Sequence, residues 1–546
     1  MPDDRAKHII EMRNSERAAQ QGLWNTLWQD AADYCYQTED QIIRRDSPGT
    51  DSSASRYDDT AEFDSAEMAS GLLAMIVPTG QKFFDFSMKN GALMEMDHIR
   101  RWLLYASEVL HNELFESNFM LQLNETLRSL VVFGTGCLYS EFDRKSRRLN
   151  FKDHPISYYQ IRENSAGIVD TVILSYTYTA KQAIDQFGED AVCKDILDAA
   201  RTLDKETETF DFIHVVRPRT KLNPLLKDSR NMPWESVHVD VKDQSIVRES
   251  GYSLMPFHVA RWAKRSSEKY GRGQATQAIS TIRMLQRMSY NYIDLCNRYA
   301  RPPMEVMDEF EGDVDIRPGA INRVTQLNSI KGIGQDILGN PPVTEQMLEQ
   351  QRQLVHKAFY RDVLVPITDL KGDRRTVAEI TARQQEGLRR LASPGYRVNS
   401  ELMTPAITRS LMLLIDNMRV PPPPPELAGE EFAIEYQGQL ALALRDQQAR
   451  GFMQFAQYAT QMATVDPTAL DGVNLVRGSR DVAIAMGVRA GVLATQEEMQ
   501  AKADARAKQQ QLMMEMEMAK TMGKTYKDAS GAPEEGSPAG QLMEQG

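Results

Sequence analysis

Apolar residues recur at helical spacing along much of this chain, and the clearest case lies between residues 274 and 299. One face of that segment carries Ala275, Ala278, Ile279, Ile282, Leu285, Met288, Tyr292, Ile293 and Cys296. Such a stripe predicts an amphipathic helix, about 40 Å long at roughly 1.5 Å per residue. Pro302 and Pro303 follow and cannot continue the helix, so they predict its end.

A second long helical pattern begins after a short basic loop. Thr376 followed by Glu379 forms a capping box, in which each side chain satisfies an amide at the helix start. The apolar positions that continue the pattern are Leu402, Ile407, Leu411, Leu414, Ile415 and Met418. Five consecutive prolines at 421–425 predict the end of this helix, and Ser393-Pro394-Gly395 predicts a kink or break within it.

The remaining patterns predict a fold that is α+β and mainly α-helical. Further helices are predicted over residues 3–45, 60–75, 97–133 (two helices), 181–202, 344–360, 438–462 and 479–520. From 137 to 262 the period changes towards two, which predicts strands over 137–143, 156–161, 168–178, 209–217, 237–241 and 258–262. The segment 303–342 is short and strand-like, and the Gly/Pro/Glu/Ser-rich tail, 524–546, is predicted to be disordered.

The charge balance limits how this protein can interact with nucleic acid. The formal net charge is −12, whereas proteins that bind DNA tightly are usually basic, because Lys and Arg neutralise phosphates. An acidic chain remains compatible with a conduit through which DNA slides. The four cysteines are scattered, which suits a reducing compartment, and no apolar segment is long enough for a signal peptide or a membrane span.

A search for catalytic motifs finds little, so the sequence predicts a protein that is not an enzyme and needs no cofactor or metal. The histidines never pair at metal-ligand spacing. Gly523-Lys524-Thr525 lacks the glycine of a phosphate-binding loop five positions earlier, where Met518 stands. Gly271-Arg-Gly273 and Gly332-Ile-Gly334 are isolated fragments more typical of turns, and Gly134 with Gly136 predicts a helix-to-strand turn.

Several blocks, taken in order, resemble the portal proteins (head-to-tail connectors) of short-tailed bacteriophages. They are Tyr57-Asp-Asp-Thr-Ala61, Ala69-Ser-Gly-Leu-Leu-Ala74, Pro78-Thr-Gly-Gln-Lys-Phe-Phe84, Glu116-Ser-Asn-Phe119, Phe133-Gly-Thr-Gly-Cys-Leu-Tyr139, Tyr270-Gly-Arg-Gly273 and the 376–425 region. The resemblance covers about residues 15–510, nearly the whole chain. It rests on the order and spacing of the blocks, because no single block is as specific as a metal-ligand signature.

The resemblance implies a portal-type fold in a ring of twelve subunits at one capsid vertex, through which double-stranded DNA is packaged and ejected. It implies a wing over 1–262, stem helices over 263–300 and 344–361, a clip over 301–343 and a tunnel loop over 362–375. A long wing helix with a Pro-rich turn would cover 376–437, and a helical crown 438–523. The implied partners are the terminase large subunit, tail adaptor proteins, and capsid and scaffold proteins, with no membrane involved.

The resemblance also assigns candidate site residues. Lys371, Arg374 and Arg375 would contact DNA non-specifically from the tunnel loop, where Gly372 allows a change of shape. The other interpretation is a helix start whose cations are simply solvated, and the sequence does not decide between the two. In the clip, Pro-bounded at both ends, the docking residues would be Glu309, Glu311, Asp313 and Asp315.

Two rival classes differ from this interpretation in their sequence features. A scaffold or internal ejection protein would lack the Pro-bounded insert between two long helices. An enzyme acting on nucleic acid would need clustered carboxylates or a nucleotide-binding loop. The 28 methionines fit either an adaptable core or helical subunit interfaces, and the concentration at Met513, Met514, Met516 and Met518 favours an interface.

Overall fold

The computed structural model describes residues 3–39, 41–43, 56–78, 82–89, 93–94, 96–202, 208–222, 228–300, 304–306, 330–332, 341–361, 390–427, 429, 432–437, 453, 455, 457–458, 482–483 and 496–529. The chain divides into two compact units. The first comprises Met1–Phe86, Tyr105–Ala428 and Ile434–Gln447, and the second comprises Ser87–Leu104, Gly429–Ala433 and Gln448–Gly546.

The described part of the chain is mixed α and β. The helices are α1 (Asp4–Gln21), α2 (Leu23–Cys35), α3 (Thr60–Ile76), α4 (Asp97–Glu116), α5 (Phe119–Phe133), α6 (Ala180–Phe187), α7 (Lys194–Arg201), α8 (Gln274–Ala300), α9 (Pro341–Ala358), α10 (Ala392–Arg397), α11 (Thr404–Asp416) and α12 (Gln496–Ala529). The strands are β1 (Phe84–Met88), β2 (Thr135–Asp143), β3 (Arg148–Asp153), β4 (Tyr159–Glu163), β5 (Val169–Thr179), β6 (Thr209–Pro218), β7 (Trp234–Asp240), β8 (Ser245–Tyr252), β9 (Phe257–Arg261), β10 (Met304–Val306), β11 (Ile330–Gly332) and β12 (Phe432–Tyr436).

An antiparallel five-stranded sheet, β4-β5-β6-β7-β8, lies in the first unit and is covered on both faces. Alternation along β6 sends Phe210 and Phe212 to one face and Ile213 and Val215 to the other. Helices α6 and α7 pack on the phenylalanine face, while α1 packs on the other face through Ala6 and Ile9. Burial on both sides explains why the central strands are so apolar.

A three-stranded sheet, β3-β2-β9, adjoins the start of α8 through a close approach of glycines. Gly134 ends α5 with φ +90°, a left-handed conformation that favours glycine. A Cβ on Gly273 would lie 2.4 Å from the Val131 carbonyl oxygen, and one on Gly271 would lie 2.2 Å from that of Gly134. At the predicted turn of Gly134 and at the Gly271-Arg-Gly273 fragment, the two backbones are therefore in direct contact.

Helices α8 and α9 form a long antiparallel pair. The Gln274 amide at the start of α8 donates to the Tyr360 hydroxyl at 3.3 Å, just beyond the end of α9. Further along, Gln286 and Arg352 both bind Asp58, so the two helices run in opposite directions. Beyond the pair, β10 and β11 are joined as antiparallel strands.

A π-helical segment, Val398–Met403, separates α10 from α11. Its Glu401 accepts hydrogen bonds from the Arg261 backbone N–H at 2.9 Å and from the Arg261 guanidinium at 2.8 Å. Arg261 is buried and also contacts Glu163. In α11, the Arg409 guanidinium donates to the carbonyl oxygens of Ser140 and Leu254. These two arginines hold the 398–416 segment against the three-stranded sheet.

Several predicted elements of the first unit are confirmed and several are corrected. The helices predicted over 60–75 and 97–133 and the turn at Gly134 are present. The helix predicted over 181–202 is wrong as a single element, because Gly188 (φ +90°) ends α6 and α7 starts afresh. The strand predicted over 156–161 lies at Tyr159–Glu163 and that over 237–241 at Trp234–Asp240, while β3 and β8 were not predicted.

The ends of the later helices also differ from prediction. Helix α9 begins at Pro341, three residues before the predicted start, because proline fits the first helical turn, whose N–H groups need no partner within the helix. The predicted capping box of Thr376 and Glu379 lies outside the described residues. Near the predicted break, a turn at Leu391 precedes α10, which contains Pro394 and Gly395.

In the second unit, α12 runs to Ala529, so the prediction of disorder from residue 524 is wrong for its first six positions. Residues 523–525 accordingly lie within this helix. The side chains of Leu512, Met513, Met514, Met516 and Met518 are all exposed. No helix in the described ranges is both long and apolar enough to cross a membrane.

Candidate functional site at the base of the long helix pair

The start of α3 binds α8 through Gln286. The Gln286 side-chain oxygen accepts hydrogen bonds from the backbone N–H groups of Tyr57 (2.8 Å) and Asp58 (3.1 Å). The Gln286 amide in turn donates to the Asp58 carbonyl oxygen at 2.5 Å. One glutamine therefore satisfies three backbone groups of the segment that leads into α3. This contact fixes α8 relative to α3.

The Asp58 carboxylate binds the second helix of the pair. Its Oδ1 accepts from the Thr60 backbone N–H at 3.0 Å and so satisfies the first N–H of α3, which has no acceptor within the helix. Its Oδ2 lies 2.9 Å from both Nε and Nη2 of Arg352 in α9. The Asp58 side chain is only 3% exposed, whereas the Arg352 side chain is 41% exposed, so the carboxylate of this charge-assisted pair is buried and the guanidinium is partly solvated. Together with the Gln286 contact, the pair links three helices.

A second buried carboxylate, Asp64, binds the end of α9. Its Oδ2 lies 2.6 Å from Nδ1 of His356, and its Oδ1 lies 3.4 Å from Nη1 of Arg361. Burial raises the pKa of the Asp64 carboxyl, and the neighbouring His356 and Arg361 act in the opposite direction. Arg361 also pairs with Glu67 at 3.4 Å. We call these six residues the α3 anchor: Asp58, Asp64, Gln286, Arg352, His356 and Arg361.

A polar cleft of about 570 Å³ lies beside the α3 anchor, and Arg56, Asp59 and Phe63 contribute to its wall. Within the α3 anchor, each charged side chain has an oppositely charged partner. Next to the anchor, Glu62 of α3 pairs with Arg56 at 3.3 Å and with Arg128 of α5 at 2.5 Å. Across the described ranges, no group of three His, Cys, Asp or Glu side chains could hold a metal ion. The geometry is that of a structural junction.

The helix pair leaves large apolar side chains uncovered outside the anchor. Ile282 and Leu285 of α8 and Val355 of α9 are buried in the pair. The uncovered side chains, each about half exposed, are Met284, Tyr290, Ile293, Met347 and Leu354. Exposed apolar side chains of this size on two long helices are typical of a surface that another protein chain covers.

The predicted site residues fall outside the described residues. This holds for Lys371, Arg374 and Arg375 of the predicted tunnel loop, and for Glu309, Glu311, Asp313 and Asp315 of the predicted clip. Arg361, the last described residue before the predicted loop, belongs to the α3 anchor. The anchor itself was not predicted, although the Tyr57–Ala61 block contains Asp58, and only that block signalled the site.

Comparison with known proteins identifies the class of this chain. Residues 7–493 match the family described as bacteriophage head to tail connecting protein, and the chain belongs to that family. It is 23% identical to the portal protein of Salmonella phage epsilon15, over 97% of this chain and 98% of the relative. It is 22% identical to the probable portal protein of Bordetella phage BPP-1, over 89% of each chain. The family is structural, and the resemblance to portal proteins is confirmed.

Proposed function

We propose that twelve copies of this chain form a closed ring at one vertex of the capsid and that double-stranded DNA passes through it during packaging and ejection. The ring would be a virion component assembled in the host cytoplasm. It would dock the terminase large subunit and later the tail adaptor proteins, and would contact capsid and scaffold proteins. Family membership over residues 7–493 supports a connector role.

The exposed apolar side chains of the α8–α9 pair, chiefly Tyr290 and Ile293 of α8 and Met347 and Leu354 of α9, carry the proposal. Apolar side chains buried between copies contribute about 25 cal/mol per Å² removed from water. A surface that meets a different surface on the next copy generates a ring when the rotation closes. The stem of such a ring would be the α8–α9 pair, with the predicted clip at the tip formed by residues 301–343. The rival class, a scaffold or internal ejection protein, gains no support from the family match.

Native mass and electron microscopy test the ring directly. The subunit is 61.9 kDa, so a closed ring has many times this mass and a central hole. Replacing Ile293 and Leu354 with Glu places charges among the exposed apolar side chains and should prevent assembly, whereas Met347→Leu keeps an apolar side chain at its position and should not. A wild-type protein that remains monomeric at micromolar concentration contradicts the proposal.

The tunnel-loop hypothesis predicts a belt of positive charge around the channel, formed by Lys371, Arg374 and Arg375 of each copy. Phosphate contacts of this kind are sequence-independent and weaken with salt, so the belt would restrain DNA without locking it. Changing all three residues to Ser should leave ring mass unchanged and reduce packaging or retention of DNA. The matched control exchanges Lys371→Arg, Arg374→Lys and Arg375→Lys, which keeps the charge and should keep retention. Normal retention in the Ser variant favours solvated cations instead.

The clip hypothesis assigns partner docking to residues 301–343. Replacing Glu309, Glu311, Asp313 and Asp315 with their amides removes four negative charges without changing side-chain size. We expect weaker binding of the terminase large subunit or the tail adaptors, measured on rings of unchanged mass. Unchanged binding of both partners moves the docking site elsewhere.

A further inference from the structure

A basic hairpin turn joins β2 to β3 and presents four cations to solvent. Asp143 and Arg148 are the last residues of β2 and β3 that lie opposite each other, so residues 144–147 form the turn. The Asp143 carboxylate accepts from the backbone N–H groups of Lys145 (2.9 Å) and Ser146 (3.2 Å). Arg147 adopts φ +55°, the left-handed conformation that closes the turn. These interactions fix the shape of the turn.

The cations of this turn are largely unopposed. Arg144, Lys145, Arg147 and Arg148 are exposed, and in the described part of the chain no carboxylate forms an ion pair with the first three. Arg148 reaches Glu116 only at 3.6 Å, with both side chains more than half exposed. Such exposed pairs contribute little. The turn therefore keeps its positive charge on a chain whose net charge is −12.

The positive surface continues along β3. Arg148 and Lys152 lie on the same outward face, about 13 Å apart at the rise of a strand. Three carboxylates face this surface. Asp143 is engaged by the turn backbone, Glu141 accepts from the Asn150 amide at 3.0 Å, and Glu116 lies 3.6 Å from Arg148. Five cations thus share this surface with three carboxylates that already have partners.

The hairpin is held firmly by the core beneath it. Leu149 and Phe151 of β3 are buried, and the Asn118 side chain accepts from the Phe151 backbone N–H and donates to its carbonyl oxygen. A turn on such a base loses little entropy when it binds a partner, so each charge contact retains more of its free energy.

We propose that the basic hairpin, Arg144–Arg148 with Lys152, binds the phosphate backbone of duplex DNA on a surface that is separate from the tunnel loop in sequence. Three of the four turn cations are arginines, whose planar guanidinium can donate two hydrogen bonds to one phosphate. On an acidic protein, DNA approaches most readily at such a local positive surface. The proposal rests on the proposed DNA-conducting function.

Closed circular duplex DNA is the probe, because a circle cannot thread through a ring and so reports only external contacts. Filter binding of the full-length protein to a relaxed circular plasmid is measured as a function of NaCl. The test variant carries Arg144→Ser, Lys145→Ser and Arg147→Asn, since Asn tolerates the left-handed conformation. The matched control carries Lys181→Gln, Lys194→Gln and Arg201→Gln, which removes three exposed cations from α6 and α7. Native mass and circular dichroism verify assembly and folding.

The test variant should lose at least tenfold in affinity at about 0.1 M salt, and the slope of log K against log salt should fall by about 2 to 3 relative to wild type. The control should keep the wild-type slope. Equal slopes in the wild type and the test variant overturn the proposal. If native mass falls instead, the hairpin binds another copy of the chain. Failure here leaves ring formation and the tunnel-loop test unaffected, so the two proposals fail separately.

Discussion

Acidification should destabilise the five-stranded sheet through histidines that are buried in the neutral form. His214 of β6 and His238 of β7 lie directly opposite each other, with ring centroids 3.9 Å apart and an interplanar angle of 8°. Burial lowers the pKa of His214 to about 3, and burial together with His214 holds the pKa of His238 well below its ordinary value. The His214 ring bonds the Ser236 hydroxyl at 2.9 Å, so neutral His214 is satisfied where it lies.

The size of the effect follows from proton linkage. In the unfolded chain the histidine pKa is about 6.5, so below that pH the unfolded state binds a proton that folded His214 does not. The stabilisation that His214 provides is therefore complete above about pH 6.5 and decreases as pH falls towards 3. With a folded-state pKa of about 3, His214 alone lowers the free energy of unfolding by about 1.4 kcal/mol when the pH falls from 7.5 to 5.5.

The assay must separate His214 from groups that titrate the other way. Burial raises the pKa of the Asp153 carboxyl to about 7, so Asp153 stabilises the folded state as pH falls over the same range. Hydrogen exchange of β6 and β7 amides gives the opening free energy of the sheet at pH 7.5 and 5.5. The variant His214→Phe keeps an aromatic ring beside His238, and its packing cost is the same at both pH values. That cost therefore cancels in the difference.

Between pH 7.5 and 5.5, the opening free energy of the sheet should fall by about 1.4 kcal/mol less in His214→Phe than in the wild type. His8→Gln removes an exposed histidine from α1 and serves as the control. A loss in His214→Phe equal to that in wild type, within about 0.3 kcal/mol, would refute the reasoning, because it would mean that His214 titrates alike in the folded and unfolded states.

Three further predictions concern the anchor, the glycine contact and the C-terminal tail. Asp58→Asn should lower the opening free energy of α9 amides by about 1 to 2 kcal/mol, because it removes the charge of a buried carboxylate that binds the partly solvated Arg352. Glu349→Gln, which removes an exposed partner of the same Arg352 at 3.8 Å, should change it little. Gly273→Ala should cost about 3 kcal/mol in a thermal melt, because its Cβ would meet the Val131 carbonyl oxygen, and a melt like that of the wild type would contradict this close approach. Truncation after Ala529 should leave the number of copies per assembly unchanged, as judged from native mass, because the composition beyond it cannot bury a core. Loss of assembly would show that the tail contributes to it.

Helices with one clear apolar stripe could be predicted from the sequence, and elements that depend on their neighbours could not. Helix α8 was predicted to within one residue because its stripe meets glycine at one end and proline at the other. Strands β3 and β8 carry many polar residues, since each lies at the edge of its sheet. Their pairing with β2 and β7 supplies the hydrogen bonds, and no local pattern records it.

The α3 anchor shows why a site can escape sequence analysis altogether. Asp58 and Arg352 are 294 positions apart, and each looks like an ordinary surface charge in its own segment. Only folding brings α3, α8 and α9 together and buries the two carboxylates. The family block around Tyr57–Ala61 marked one side of the contact, but nothing in the sequence indicated its partners.

The position of the anchor bears on how the proposed tunnel loop could work. Asp64 binds both His356 and Arg361, so the chain is fixed to α3 up to the residue that precedes the loop. Behind α3, Glu62 pairs with Arg128 of α5, and α5 leads through Gly134 into β2. A force that DNA exerts on the loop would therefore act on α3 and the sheet beyond it, and not only on α9.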